Sequence, residues 1–257
     1  MKYLTGPPAV LLLMLAFIVA IPEPAVAAPD LEEAFEEMDT MRERGEFQDA
    51  LAWLNELGQD HPDHPEIHWR RAWAKIDLGN QQDIESERER LFTTGLKKAQ
   101  RALELDDEQP MAHLAAAVAS GRVGLTASTR ERVELSRQVK EHVDRALELD
   151  PELAPAYHVR ARWHYEVSSL GFATRAIVET VYGGLPDASI EAALDDFERS
   201  IELDERIVDR LERGRLFKEE GNTNKAQAEL EKALDIPKQG PHDDRYREEA
   251  EELLASL

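Results

Sequence analysis

The chain contains no cysteine. Disulfides, thiolate nucleophiles, cysteine-ligated zinc and iron–sulfur clusters are therefore excluded. Cations are scarce: 31 Lys and Arg stand against 53 Asp and Glu, a formal net charge of −22. Such a surface repels a phosphate backbone at long range, so nucleic acid is not an expected partner. Aromatic residues make up 6% of the 257 residues. The apolar/polar alternation of exposed strands is almost missing. No HExxH pair, GxSxG elbow, Walker loop or dinucleotide-binding glycine pattern occurs. No catalytic residue and no cofactor is assigned, and an enzyme is not expected.

Long hydrophobic runs are also missing, with one exception. Lys2 precedes the uninterrupted apolar stretch "AVLLLMLAFIVAI", Ala9 to Ile21. This run is too short for a comfortable bilayer span of about 20 residues. Ala25, Val26 and Ala27 fit the small-residue rule for signal peptidase, which places a cut before Ala28. The expectation is a signal peptide over 1–27 and an exported, periplasmic or secreted chain over 28–257. An uncleaved membrane anchor is the alternative. N-terminal sequencing of protein from its source cell should begin at Ala28, and a membrane-bound chain retaining Met1 would refute cleavage.

What the chain does have is helix signal. Glu, Ala, Leu and Arg dominate. Apolar residues recur at three and four, as in Leu135, Val139, Val143, Ala146 and Leu147. Ser128 followed by Glu131 reads as a capping box. The helices are punctuated by "DDEQP" (Asp106 to Pro110), "DPELAP" (Asp150 to Pro155), "GGLPD" (Gly183 to Asp187) and "IPKQGP" (Ile236 to Pro241).

The string "ALELD" occurs twice. Aligning the small residue of each such string gives Ala102, Ala146, Ser200 and Ala233, spaced 44, 54 and 33 residues apart. A period of about 34, with additions of about 10 and 20, fits all three spacings. The last unit shows it most cleanly, with Gly214, Phe217, Gly221, Ala226, Leu230, Ala233 and Pro237. Small residues there let two antiparallel helices approach, larger ones fill between them, and the proline ends the second helix. Glu229 falls on the outer side of that unit and reads as a surface residue. Gly45, Ala50, Leu54 and Pro62 mark an earlier hairpin, and Trp69, Ala72 and Gly79 open the next. The fold class is an all-α, right-handed solenoid of about five tetratricopeptide-type hairpins. It forms a single domain with helical insertions, one over about 170–186, and a C-terminal capping helix over about 242–257.

The segment "WHYEVSSLGFATRAIVETVYGGLPDASIEAALDDFERSIELD", Trp163 to Asp204, is more specific. It resembles the regulator of microtubule dynamics family, which carries the same insertion: an aromatic helix, a short apolar stretch ending near a proline, then an "EAL..F" helix. The resemblance spans roughly Trp69 to Leu254. It implies a helical tetratricopeptide domain without enzymatic activity. In animals the family is linked to microtubules, mitochondria and membrane contact sites, with phospholipid binding in one branch.

Places five, nine and twelve of each first helix are expected to line the inner groove. These are Trp69, Trp73 and Ile76, then Leu114 and Val118, then His158, Arg162 and Tyr165, then Leu211, Arg215 and Lys218. Half of that surface is apolar and half carries positive charge. A protein or peptide lying along the groove is the first expectation. The alternative is a lipid or other apolar ligand with an anionic head, held by Arg162 and Arg215 converging on one carboxylate or phosphate. The insertion Leu170 to Pro186 is itself apolar enough to fill the groove. His61, His64 and His68 form an outlying metal-binding alternative.

Overall fold

The computed structural model describes residues 30–257. The proposed signal segment lies outside the described residues. Twelve helices follow one another, with no strand among the described residues. Five antiparallel pairs account for ten of these: α1 (Leu31–Glu43) with α2 (Phe47–Asp60), α3 (Pro65–Asn80) with α4 (Glu85–Leu105), and α5 (Pro110–Gly124) with α6 (Thr129–Leu149). The fourth pair joins α7 (Ala154–Ser168) to α9 (Ile190–Leu203) across the inserted α8 (Phe172–Tyr182). The fifth is α10 (Ile207–Glu219) with α11 (Thr223–Asp235), and α12 (Asp243–Ala255) packs on both.

The repeated "ALELD" string is a helix stop. Asp106 and Asp150 leave the helical conformation as C-caps, and each turns its Oδ1 onto the backbone N–H two residues on, at 3.0 Å. This Asx turn delivers the chain to Pro110 or Pro155, in the first turn of the next helix, where a missing N–H breaks no helical bond. Ser128 accepts from Glu131 N–H, as its spacing predicts. The uneven spacing of the repeats has two sources. α4 and α6 each run to 21 residues, whereas α9 and α11 have 14 and 13, and the fourth unit carries α8.

The small residues sit where helices cross. Ala72, Ala99, Ala117, Ala146, Ala161, Ala226 and Ala233 are all fully buried. A Cβ added to Gly214 would stand 2.9 Å from Leu230 Cγ, so only glycine admits that side chain. Glu229, read above as a surface residue, is instead buried. It pairs with Arg210 at 2.8 Å, because α10 lays its arginines across that side of α11.

The insertion does not fill the groove. α8 packs on α6, where the Arg137 guanidinium donates to the carbonyls of Tyr182 and Gly184 and so ties down the C-terminal end of α8. Val178 is its single buried residue, while Phe172, Ile177 and Val181 are exposed.

The C-terminal segment closes the chain on itself. Arg247 of α12 donates to the Leu234 and Ile236 carbonyls at 2.6 and 2.7 Å, capping the end of α11. Just before α12, Pro241 meets the α1–α2 turn, its Cβ 3.2 Å from where a Gly45 Cβ would stand. Gly45 has φ +77°, the left-handed conformation that glycine adopts without strain. His242 stacks on Phe47 with ring centroids 5.6 Å apart.

Candidate binding site on the inner face

Of the three rows of residues expected in the groove, the ninth places are the one row that stays partly open on each of α3, α5, α7 and α10. Trp73, Val118, Arg162 and Arg215 are half-buried, one on each successive first helix. Leu114 and Leu211, at fifth places, are instead core residues: Leu114 packs on Val139 and Val143, and Leu211 on Leu230 and Ala233. Ile76, at a twelfth place, is buried against the α4 backbone near Gly95. His158 turns toward Asp209, with Nδ1 2.7 Å from its Oδ1. Tyr165 is buried against Phe197 and Leu216 and donates its hydroxyl to Glu219. Lys218 donates to the Ser256 hydroxyl at 2.6 Å. Trp69 is almost fully buried, yet one side of it borders a cavity.

Arg162 and Arg215 do converge on one carboxylate, and the chain supplies it. Glu212 Oε2 lies 2.6 Å from Arg162 and 3.5 Å from Arg215. Arg162 also meets Glu166 at 2.9 Å, and Arg215 meets Glu249 of α12 at 3.1 Å. Their charge is therefore compensated internally.

The cavity has a volume of about 630 Å³ and lies where the first three helices meet the returning C-terminal segment. Met38, Phe47, Trp69, Trp73 and Met111 give it apolar walls. Arg42, Asp77 and His242 form a polar end. Arg42 Nε donates to Asp77 Oδ2 at 2.6 Å, and its guanidinium lies 4.6 Å from the Trp73 ring centroid. His242 Nε2 is 3.6 Å from the other Asp77 oxygen. Burial alone would raise the Asp77 pKa, but His242 and Arg42 outweigh it and hold the carboxyl below the usual range. His242 comes from the far end of the sequence to meet Met38 and Phe47 of the first hairpin, and no local pattern marks it as their neighbour.

His61, His64 and His68 do not converge on a metal position. His68 Nε2 contacts the Pro62 carbonyl at 2.8 Å, and the His64 ring packs on Phe35. Among the described residues no group of three His, Cys, Asp or Glu side chains could hold a metal ion.

Four histidines, His68 among them, make stability depend on pH. Burial depresses the pKa of His68, His113, His142 and His164. His113 and His142 also face each other, Nδ1 to Nδ1, at 3.1 Å, so one ring must donate and the other accept. Each of these groups binds its proton more readily in the unfolded chain, whose histidine pKa is about 6.5. Their contribution to stability is complete above that value and declines as pH falls below it toward the lower folded values. The melting temperature should therefore fall between pH 7 and pH 5. The replacement His142→Gln should flatten part of that slope. A melting temperature constant across this interval would contradict the neutral histidine pair.

Successive antiparallel helix pairs, small residues at each crossing and an inner face built from first helices define a tetratricopeptide-like helical repeat protein. A solved thermophilic TPR protein from Thermus thermophilus, TTC0263, superposes with a TM-score of 0.65 at 17% identity, covering 88% of this chain and 100% of that one. The chain belongs to the regulator of microtubule dynamics family: the family model Regulator of microtubule dynamics protein 1-3 matches residues 34–257. Regulator of microtubule dynamics protein 1 of Bos taurus is 28% identical over 228 residues, 88% of this chain and 71% of the relative. Regulator of microtubule dynamics protein 3 of Xenopus laevis is 28% identical over 194 residues, 75% of this chain but only 42% of the longer relative.

Proposed function

We propose that the chain is a non-enzymatic binding module that holds a protein or peptide partner on its inner face, with an apolar side chain of the partner in the cavity beside Trp73. One observation carries this reading: an apolar-walled cavity of about 630 Å³ opens on the same face as the half-buried row Trp73, Val118, Arg162 and Arg215. Concave, largely preformed sites with a few polar groups are the usual form of a binding pocket. The ion pairs that line it, Arg42–Asp77 at its polar end and Arg70–Asp39 elsewhere on its wall, suit a peptide, whose backbone offers donors and acceptors to them. Export of the mature chain from Ala28 is part of the same proposal and rests on the N-terminal pattern alone.

The test is to isolate the partner with the mature chain from its source compartment and titrate it against variants. Trp73→Ala should weaken binding by about 2 kcal/mol or more, the range of an aromatic anchor. Trp73→Phe should retain most of it. Phe172→Ser, on the exposed face of α8, should leave binding unchanged. A partner that responds to Phe172→Ser and ignores Trp73→Ala would move the site to α8.

A further inference from the structure

Arg122 lies in the last turn of α5, one turn beyond Val118, so both side chains project from the inner face. It is half-buried. Other half-buried arginines have partners: Arg160 meets Asp196 at 2.7 Å, Arg206 meets Asp209 at 2.9 Å, and Arg210 meets Glu229 at 2.8 Å. Arg122 has neither a carboxylate nor a carbonyl acceptor among the described residues, and its nitrogens are not sealed from the groove. The ionisable groups that act most strongly on it are Tyr246 and Arg245 of α12, Arg162 of α7 and Asp77 of α3. The only carboxylate in that set, Asp77, is already engaged by Arg42 and His242. Burial pushes the Arg122 pKa below the ordinary arginine value, and the neighbouring Arg162 and Arg245 add to this. In a chain with 53 acids and 31 cations, an arginine left without an acid on a groove wall needs a specific reason.

We propose that Arg122 receives a carboxylate of the bound partner, so that the inner face selects a segment in which an acidic residue lies close to an apolar anchor. The inference rests on the cavity reading above. Asp77 lines the cavity and also neighbours Arg122, so the apolar and cationic parts of the site adjoin. A desolvated guanidinium with free donors binds a carboxylate through charge-assisted, often bidentate hydrogen bonds. The net charge of −22 works against an acidic partner at long range. Selectivity for one would therefore have to come from this local contact.

The experiment uses two acetylated, amidated tetrapeptides, Leu-Trp-Glu-Glu and Leu-Trp-Gln-Gln, titrated calorimetrically into the protein at moderate salt. The acidic peptide should bind about tenfold more tightly, the scale of one good charge-assisted pair. Arg122→Gln should erase that preference while binding of the neutral peptide and the melting temperature stay as they were. Arg122→Lys should keep part of the preference. Equal affinity for the two peptides, a preference that survives Arg122→Gln, or a clear loss of melting temperature in that variant would overturn the role of Arg122 and leave the cavity reading standing. Failure of both peptides to bind would overturn the cavity reading as well. If in addition vesicles containing phosphatidylglycerol bound in an Arg122-dependent way, the site would belong to a phosphate headgroup rather than to a peptide.

Discussion

Replacing Asp209 by alanine is expected to destabilise the protein by about 3–5 kcal/mol, the usual consequence of removing one member of a buried charge cluster. Asp209 is fully buried at the start of α10. Its carboxylate meets His158 of α7 at 2.7 Å, the Ser200 hydroxyl of α9 at 3.0 Å and Arg206 at 2.9 Å. Burial alone would raise its pKa, but His158 and Arg206 outweigh that and hold it down. A group with a depressed folded pKa stabilises the fold above its unfolded value, near pH 4, and loses that contribution as pH falls toward the folded value. The cluster joins the fourth and fifth hairpins, so its loss should open the boundary between repeats. Asp209→Asn keeps the volume and part of the hydrogen bonding and should be milder. Urea denaturation of the two variants checks the order. Equal stability of Asp209→Ala and the native chain would show that the cluster is not closed as described.

Phe197→Ala should cost about as much, roughly 3–5 kcal/mol, through transfer and cavity terms together. The ring is fully buried among Ala161, Tyr165 and Leu216 and lies edge-on to His158 at 5.7 Å. Phe172→Ala, in the same "WHYE…ELD" stretch, should change stability by less than about 0.5 kcal/mol, because that ring is 89% exposed. The comparison decides which helix closes the fourth hairpin. Equal losses at the two positions would mean that α8, and not α9, packs against α7.

The helices and their pairing were legible because the signals are local. Asp106 and Asp150 with the prolines after them announce helix ends, and Ala72, Ala146 and Ala226 announce crossings. The insertion was visible as an interruption of the period, but its resting place was not. That depends on Arg137, which reaches the α8 end from 45 residues away in sequence. The inner face was legible only along its middle row. Fifth and twelfth places are less legible: the second helix of the same hairpin takes Leu114, Leu211 and Ile76 into the core, and Tyr165 is buried between Phe197 of its own hairpin and Leu216 of the next. Arg162 and Arg215 lie near one another and meet a carboxylate of the chain itself. Their shared carboxylate is Glu212: its pairing with Arg215 is a local i,i+3 contact within α10, whereas its contact with Arg162 crosses from α10 to α7 and has no local signal. The cavity itself was not legible, since it exists only because Pro241 and His242 return to Gly45, Phe47 and Asp77.

The central claim is that the cavity between the first hairpins and the returning C-terminal segment is where the partner binds. Methionine methyl resonances test it directly. Met38 and Met111 line the cavity, whereas Met41 packs within the N-terminal hairpin and does not line it. With methyl-labelled methionine and saturating Leu-Trp-Glu-Glu peptide, the Met38 and Met111 signals should shift and the Met41 signal should stay. Saturable binding that leaves Met38 and Met111 unmoved would place the partner elsewhere and contradict the account.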